Sequence, residues 1–130
     1  MAFSRWSPIA GGFTASKGFR AAGIKAGLKA SAKSDLALCL APEGAVCAGT
    51  FTQSLCRAAC VDLCVERLKK SQGKVRAALI NSGHANACTG DAGWLDTARA
   101  TRELADLLGL LPEEVLMCST GVIGIPIPML

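Results

Sequence analysis

Val115-Leu116-Met117-Cys118-Ser119-Thr120-Gly121-Val122-Ile123-Gly124 is an apolar run that meets a hydroxyl pair and a glycine, then turns apolar again. Its first four residues have the continuous hydrophobicity of a buried strand, and Ser-Thr-Gly reads as the turn that ends it. Gly121 has no side chain, so another group can come close to its N–H. Thr120 sets an O–H donor beside it. Two donors converging at a strand end are what an oxyanion hole requires, because charge developing on a carbonyl oxygen needs hydrogen bonds aimed in advance. The plainer reading is a turn after a strand, and spacing alone favours it.

Upstream, residues 112–114 (Pro-Glu-Glu) open a short turn before this strand, and Gly109 supplies a left-handed stop to a preceding helix. That helix is expected from about residue 94 to 108. Trp94, Ala98, Thr101, Leu104, Ala105 and Leu108 share one side, and Asp96, Arg99, Glu103 and Asp106 the other. Residues 75–80 read as a strand running into a polar, glycine-punctuated loop, residues 81–93. Loops of this kind, hung from a rigid strand, are where sites are usually built. Residues 35–41 read as a buried strand, Pro42-Glu43-Gly44 as a turn, and residues 46–52 as the returning strand of a hairpin. Residues 54–70 fit a helix bearing Cys56, Cys60 and Cys64 on one face, with Gly73 as its cap, or a strand followed by a short helix. Periodicity leaves both open.

The chain has 130 residues, room for one modest domain with a core. No apolar run reaches the roughly 18 residues of a membrane span. A net charge of +4 with 5% aromatic residues lacks the dense basic face and stacking partners of a nucleic-acid binder. Seven cysteines fit neither zinc-ligand spacing nor a disulfide framework, and read as mostly reduced core residues. Residues 1–34 carry six basic and no acidic residues, as organellar transit peptides do. The strand character of residues 9–14 places the domain at 9–130, with 1–8 as an extension. The apolar ending Ile127-Pro128-Met129-Leu130 suggests a piece of a longer or processed polypeptide. His84, the single histidine, reads as a polar loop residue. The glycine loop lacks the lysine of a phosphate-binding signature. Asp35, Asp91 and Asp96 fall where capping residues belong. The residues alone therefore give part of an α+β domain with one donor site and no complete nucleophile–base set.

Four segments in order resemble the ornithine acetyltransferase (glutamate N-acetyltransferase) family of arginine biosynthesis. They are Ile9-Ala10-Gly11-Gly12 with Lys17-Gly18-Phe19-Arg20-Ala21-Ala22-Gly23; Ala48-Gly49-Thr50-Phe51-Thr52; Ile80-Asn81-Ser82-Gly83-His84-Ala85-Asn86-Ala87-Cys88-Thr89-Gly90; and Ser119-Thr120-Gly121-Val122-Ile123-Gly124. The match is to the N-terminal part of the family's α chain. It implies an α+β fold, a layered α/β sandwich of the self-processing N-terminal-threonine type. It implies acetyl transfer from N-acetylornithine to glutamate through an acetyl-threonine, with no cofactor, and acetyl-CoA as a further donor in some members. The nucleophilic threonine, which becomes the first residue of a β chain after self-cleavage, lies beyond residue 130, so this piece alone is expected to be inactive. The implied assembly is an α2β2 heterotetramer, with no nucleic acid, membrane or metal. The location is cytoplasmic in bacteria, and the mitochondrial matrix or chloroplast in eukaryotes. The family's oxyanion-hole pair matches Thr120 and Gly121; the resemblance assigns no substrate-binding residue here.

Two departures concern loop geometry. The usual Thr-Thr-Asn is Thr52-Gln53-Ser54, and the frequent Ala-Ala-Pro-Val is Ala58-Ala59-Cys60-Val61. The second alignment favours a strand from residue 58. Competing readings are a self-processing amidohydrolase or aminopeptidase of similar architecture, and a non-catalytic cysteine-rich binding module.

Overall fold

The computed structural model describes residues 6–129. A four-stranded mixed sheet is built from β1 (Arg20–Ile24), β2 (Leu36–Leu40), β3 (Ala77–His84) and β4 (Val115–Val122), in that spatial order. The pairs β1–β2 and β2–β3 are antiparallel, and β3–β4 is parallel. Helix α1 (Ala59–Lys70) lies between β2 and β3 in sequence, and α2 (Gly90–Leu108) between β3 and β4. Both helices pack on β4 and on each other. This is the expected α+β class.

The register explains the core. Leu40, Ala77 and Val115 align across three strands, as do Leu38, Leu79 and Met117. Successive strand residues face opposite sides, so these rows share one face. Ala77, Val115 and Ala105 are buried there, with Leu38, Leu40, Leu104, Leu108 and Leu110 around them. Burying a side chain such as Val115 contributes about 1.5–3 kcal/mol. The opposite face carries Cys39, Ala78 and Leu116, then Ala37, Ile80 and Cys118, then Ser82 and Thr120. None of these is fully buried.

Two carbonyls near the start of edge strand β4 are occupied by α1. Arg67 Nη1 donates to the Val115 carbonyl at 2.6 Å, and Cys64 Sγ donates to that of Met117 at 3.3 Å. Pairing an edge in this way prevents another strand from adding there.

Several expectations are corrected. Residues 46–52 form no strand: the Cys47 N–H donates to the Gly73 carbonyl at 2.8 Å, and β2 finds its partners in β1 and β3 instead. Residues 59–70 are helical rather than extended, because Cys60, Leu63, Cys64 and Arg67 bury one helical face. Cys56 lies before that helix and is exposed, so the three cysteines do not share a face. The helix cap is Ser71, with Gly73 (φ 78°) in the turn beyond it, its N–H on the Leu68 carbonyl. Residues 9–14 contain no strand; Phe13–Ala15 is a single 3-10 turn.

Helix α2 starts four residues earlier than its apolar spacing indicates, and its buried stripe is Gly93, Thr97, Thr101 and Ala105. Trp94 is 40% exposed on the flank. Small residues on that stripe let the helix axis approach the sheet. Asp96 lies inside α2 rather than at a boundary. Gly109 (φ 65°) ends α2 in the left-handed region, and Pro112–Glu114 forms the 3-10 turn before β4.

Candidate active site at the ends of strands β3 and β4

Parallel strands end on the same side, and the C-terminal ends of parallel strands are where α/β proteins place ligands. Here β3 and β4 both run beyond their expected limits. His84 is the last residue of β3, not a loop residue, and Thr120 and Gly121 lie inside β4 with only Val122 after them. The turn comes at Ile123 and Gly124. In register, Ser82 faces Thr120, Gly83 faces Gly121, and His84 faces Val122.

Thr120 is exposed, and no described residue hydrogen-bonds its hydroxyl. Gly121 has φ 136° and Gly83 has φ 133°, both on the glycine-favouring side of the backbone map. A Cβ added at Gly121 would collide with the Gly83 carbonyl group and stand 2.6 Å from the His84 nitrogen. A Cβ at Gly83 would stand 2.7 Å from the Leu28 carbonyl oxygen. Three backbone segments thus pass through one point that admits no side chain.

The third segment is held by Asp35, which is 3% exposed. Its carboxylate accepts from the Ala26 N–H at 2.6 Å and the Lys29 N–H at 2.8 Å. Burial pushes the Asp35 pKa up, but backbone N–H donors from Ala26, Lys29 and Leu28 and the charge of Lys29 outweigh it, so the carboxyl sits below its ordinary value. The loop so fixed lays Leu28, Lys29, Ala30 and Ser31 along an open cavity of about 510 Å³, whose other wall includes Ser82, Gly83, His84 and Gly121.

The strand ends are pinned by a side-chain network. Asn81 Nδ2 and Ser119 Oγ both donate to the His84 carbonyl, at 2.8 and 2.9 Å. The Ala85 N–H donates to the Val122 carbonyl at 2.9 Å. Asn86 Nδ2 donates to Thr97 Oγ1 at 2.7 Å, tying the following turn to α2. Asn81 Oδ1, His84 Nδ1 and Asn86 Oδ1 are buried without a partner among the described residues. A second cavity of about 230 Å³ lies beyond this turn, lined by Asn86, Cys88, Thr89, Asp96, Gly124 and Ile127 among others.

Thr120 and Gly121, singled out by their chemistry, lie side by side in β4 at this strand end. Asp35, Asn81, Ser119 and Lys29 were missed as parts of the site. Asn81 and Ser119 each had a signal: a polar residue in line with an apolar strand. Among the described residues, no three His, Cys, Asp or Glu side chains gather as a metal site would need.

The ArgJ family model matches residues 20–130. The chain belongs to the ArgJ family. It is 68% identical over 126 residues to the arginine biosynthesis bifunctional protein ArgJ of Prochlorococcus marinus (strain MIT 9313), covering 97% of this chain and 30% of that protein. The Synechocystis sp. ArgJ (strain ATCC 27184 / PCC 6803 / Kazusa) is 51% identical over 124 residues, again with 30% of its length covered. This chain therefore spans about 30% of the length of these ArgJ relatives. An ornithine acetyltransferase of Mycobacterium tuberculosis, solved with ornithine, superposes with a TM-score of 0.85 at 44% identity, covering 91% of this chain and 63% of that one. The ArgJ of Bacillus halodurans gives the same TM-score at 36% identity, covering 92% and 61%. The ArgJ family is the one that the four motif segments resemble. No helix among the described residues is long and apolar enough to cross a membrane.

Proposed function

We propose that this chain forms the oxyanion-stabilising part of an acetyltransferase that moves an acetyl group from N-acetylornithine to glutamate. The observation that carries the reading is Thr120: a hydroxyl with no hydrogen bond to any described residue, exposed beside Gly121 at the open ends of two parallel strands. In the reaction, a threonine hydroxyl from the segment after residue 130 attacks the acetyl carbonyl of N-acetylornithine. Negative charge forms on the carbonyl oxygen and is met by the Thr120 hydroxyl and the Gly121 N–H. Collapse releases ornithine, whose amine takes up the proton, and leaves acetyl-threonine. The glutamate amine then attacks that ester, passing through a second oxyanion at the same donors; its collapse breaks the ester bond, the amine proton returns to the threonine oxygen, and N-acetylglutamate leaves.

The same reading makes acetyl-CoA an alternative donor, the β chain the source of nucleophile and base, and α2β2 the assembly. It places the protein in the cytoplasm if the source is bacterial, and in the mitochondrial matrix or chloroplast if it is eukaryotic. The test is Thr120→Ala in the full-length protein. Acetyl transfer from N-acetylornithine to glutamate is expected to fall about 10²–10³-fold in kcat, with slower self-cleavage. Unchanged rates would remove Thr120 from the mechanism. Acetate release that ignores glutamate would replace the transferase with a hydrolase.

A further inference from the structure

Cys56 and Cys88 are distant in sequence, yet their sulfurs stand 3.3 Å apart. Both side chains are exposed, as is that of Cys118, whereas Cys60 and Cys64 are buried and Cys39 and Cys47 partly so. The backbone makes the approach. Ala58 and Ala87 form an isolated antiparallel bridge, and the Ala59 N–H donates to the Asn86 carbonyl at 3.3 Å. Each cysteine sits just outside that bridge. The Cys56 N–H and C=O both engage the Ser54 hydroxyl at 3.2 Å, which fixes its backbone. Cys88 has φ 56°, in the left-handed region where a non-glycine residue is uncommon and is found at functional positions more than elsewhere. Its turn is held in that state by Thr89 Oγ1 donating to the Asn86 carbonyl at 2.8 Å.

We propose that Cys56 and Cys88 form a reversible thiol–disulfide exchange site whose co-reactant is a low-molecular-weight disulfide of the glutathione type. A disulfide bond is about 2.05 Å long, so the sulfurs must close by roughly 1.2 Å. In the first step one cysteine sulfur attacks the small disulfide. That bond breaks, and one small thiol leaves with its electron pair and the cysteine proton. In the second, the other cysteine attacks the protein-bound sulfur of the mixed disulfide and expels the second small thiol, which takes the second proton. Two protein thiols are oxidised and one small disulfide is reduced to two thiols. The hydrogen bond shared with Cys56, in which the Cys88 thiol donates, raises the Cys88 pKa, so exchange through its thiolate quickens toward alkaline conditions. The bond would tie the segment before α1 to the turn between β3 and α2, at the wall of the cavity shared by Cys88 and Gly124. The proposal does not depend on the acetyl-transfer reading.

The experiment equilibrates the full-length protein in buffers of graded oxidised and reduced glutathione, quenches with acid, alkylates, and maps the peptides by mass spectrometry. The expected product is a linked Cys56–Cys88 peptide pair lacking two hydrogens, reversed by dithiothreitol. Its disulfide-to-dithiol ratio should change about tenfold for each tenfold change in oxidised over squared reduced glutathione. Cys56→Ser should leave Cys88 able to form only the mixed disulfide, and Cys88→Ser the reverse. The wild-type map stands even if a variant fails to fold. Three results would overturn the proposal: both thiols free at the most oxidising ratio, both separately glutathionylated in the folded wild type, or either paired with another cysteine.

Discussion

Gly83 and Gly121 face each other across the parallel register of β3 and β4, and neither position has room for a methyl group. Gly121→Ala is therefore expected to be severely destabilising. Left-handed strain contributes about 1–3 kcal/mol, and forcing a Cβ against the backbone of Gly83 and His84 adds about 1–3 kcal/mol. Gly124→Ala is the control, since Gly124 has φ 88° but nothing within 4 Å of an added Cβ. It should lose only the strain. Urea midpoints of the two variants check the difference, and equal losses would mean that the glycine contact is not close-packed.

Asp35 predicts a pH dependence with a definite sign. Its pKa is lower in the folded chain than in the unfolded one, so its contribution is fully present above the unfolded value. It is lost as pH falls through the folded value, below about pH 4. Asp35→Asn removes the charge that the Ala26 and Lys29 N–H groups are aimed at. Urea denaturation should find the variant less stable at neutral pH, with the gap closing as the medium is acidified. A gap independent of pH would assign the loss to packing rather than charge.

Thr97 and Thr101 are both fully buried on α2 but are expected to respond differently to valine. Thr97 Oγ1 accepts from Asn86 Nδ2 and donates to the Gly93 carbonyl. Thr97→Val strands a buried amide donor, at a cost of about 1–3 kcal/mol. Thr101 Oγ1 only donates, to the carbonyls of Thr97 and Ala98. Thr101→Val leaves no donor unpaired and should cost less. Thermal unfolding of the pair decides it.

These contrasts also mark what the sequence could convey. Helix α2, the stop at Gly109 and the apolar half of β4 were legible because each rests on local periodicity or one residue's backbone freedom. Residues 46–52 were misread because an apolar run states a wish for burial, not a partner; Cys47 finds its acceptor in Gly73, which no local pattern announces. The strand expected from residue 58 is instead a helix from Ala59, because Cys60, Leu63, Cys64 and Arg67 bury one helical face, which the family's Ala-Ala-Pro-Val pattern does not convey. At the site, Thr120 and Gly121 could be picked out by chemistry. The grip of Asp35 on the loop over Gly83, and the pinning of the His84 carbonyl by Asn81 and Ser119, are long-range contacts that only the folded register creates.

Thr120 separates hydroxyl from shape. Its side chain is exposed and bonded to no described residue, so neither Thr120→Val nor Thr120→Ser should change the unfolding free energy from urea titration by more than about 0.5 kcal/mol. Their activities should part. Valine keeps the branched shape and loses the donor, and full-length Thr120→Val should lose about 10²–10³-fold in kcat for acetyl transfer. Serine keeps the O–H and should retain most of it. The loss belongs in kcat rather than KM because the donor meets a charge that exists only at the tetrahedral stage. A valine variant that binds N-acetylornithine poorly yet turns over at the normal rate would make Thr120 a binding residue instead.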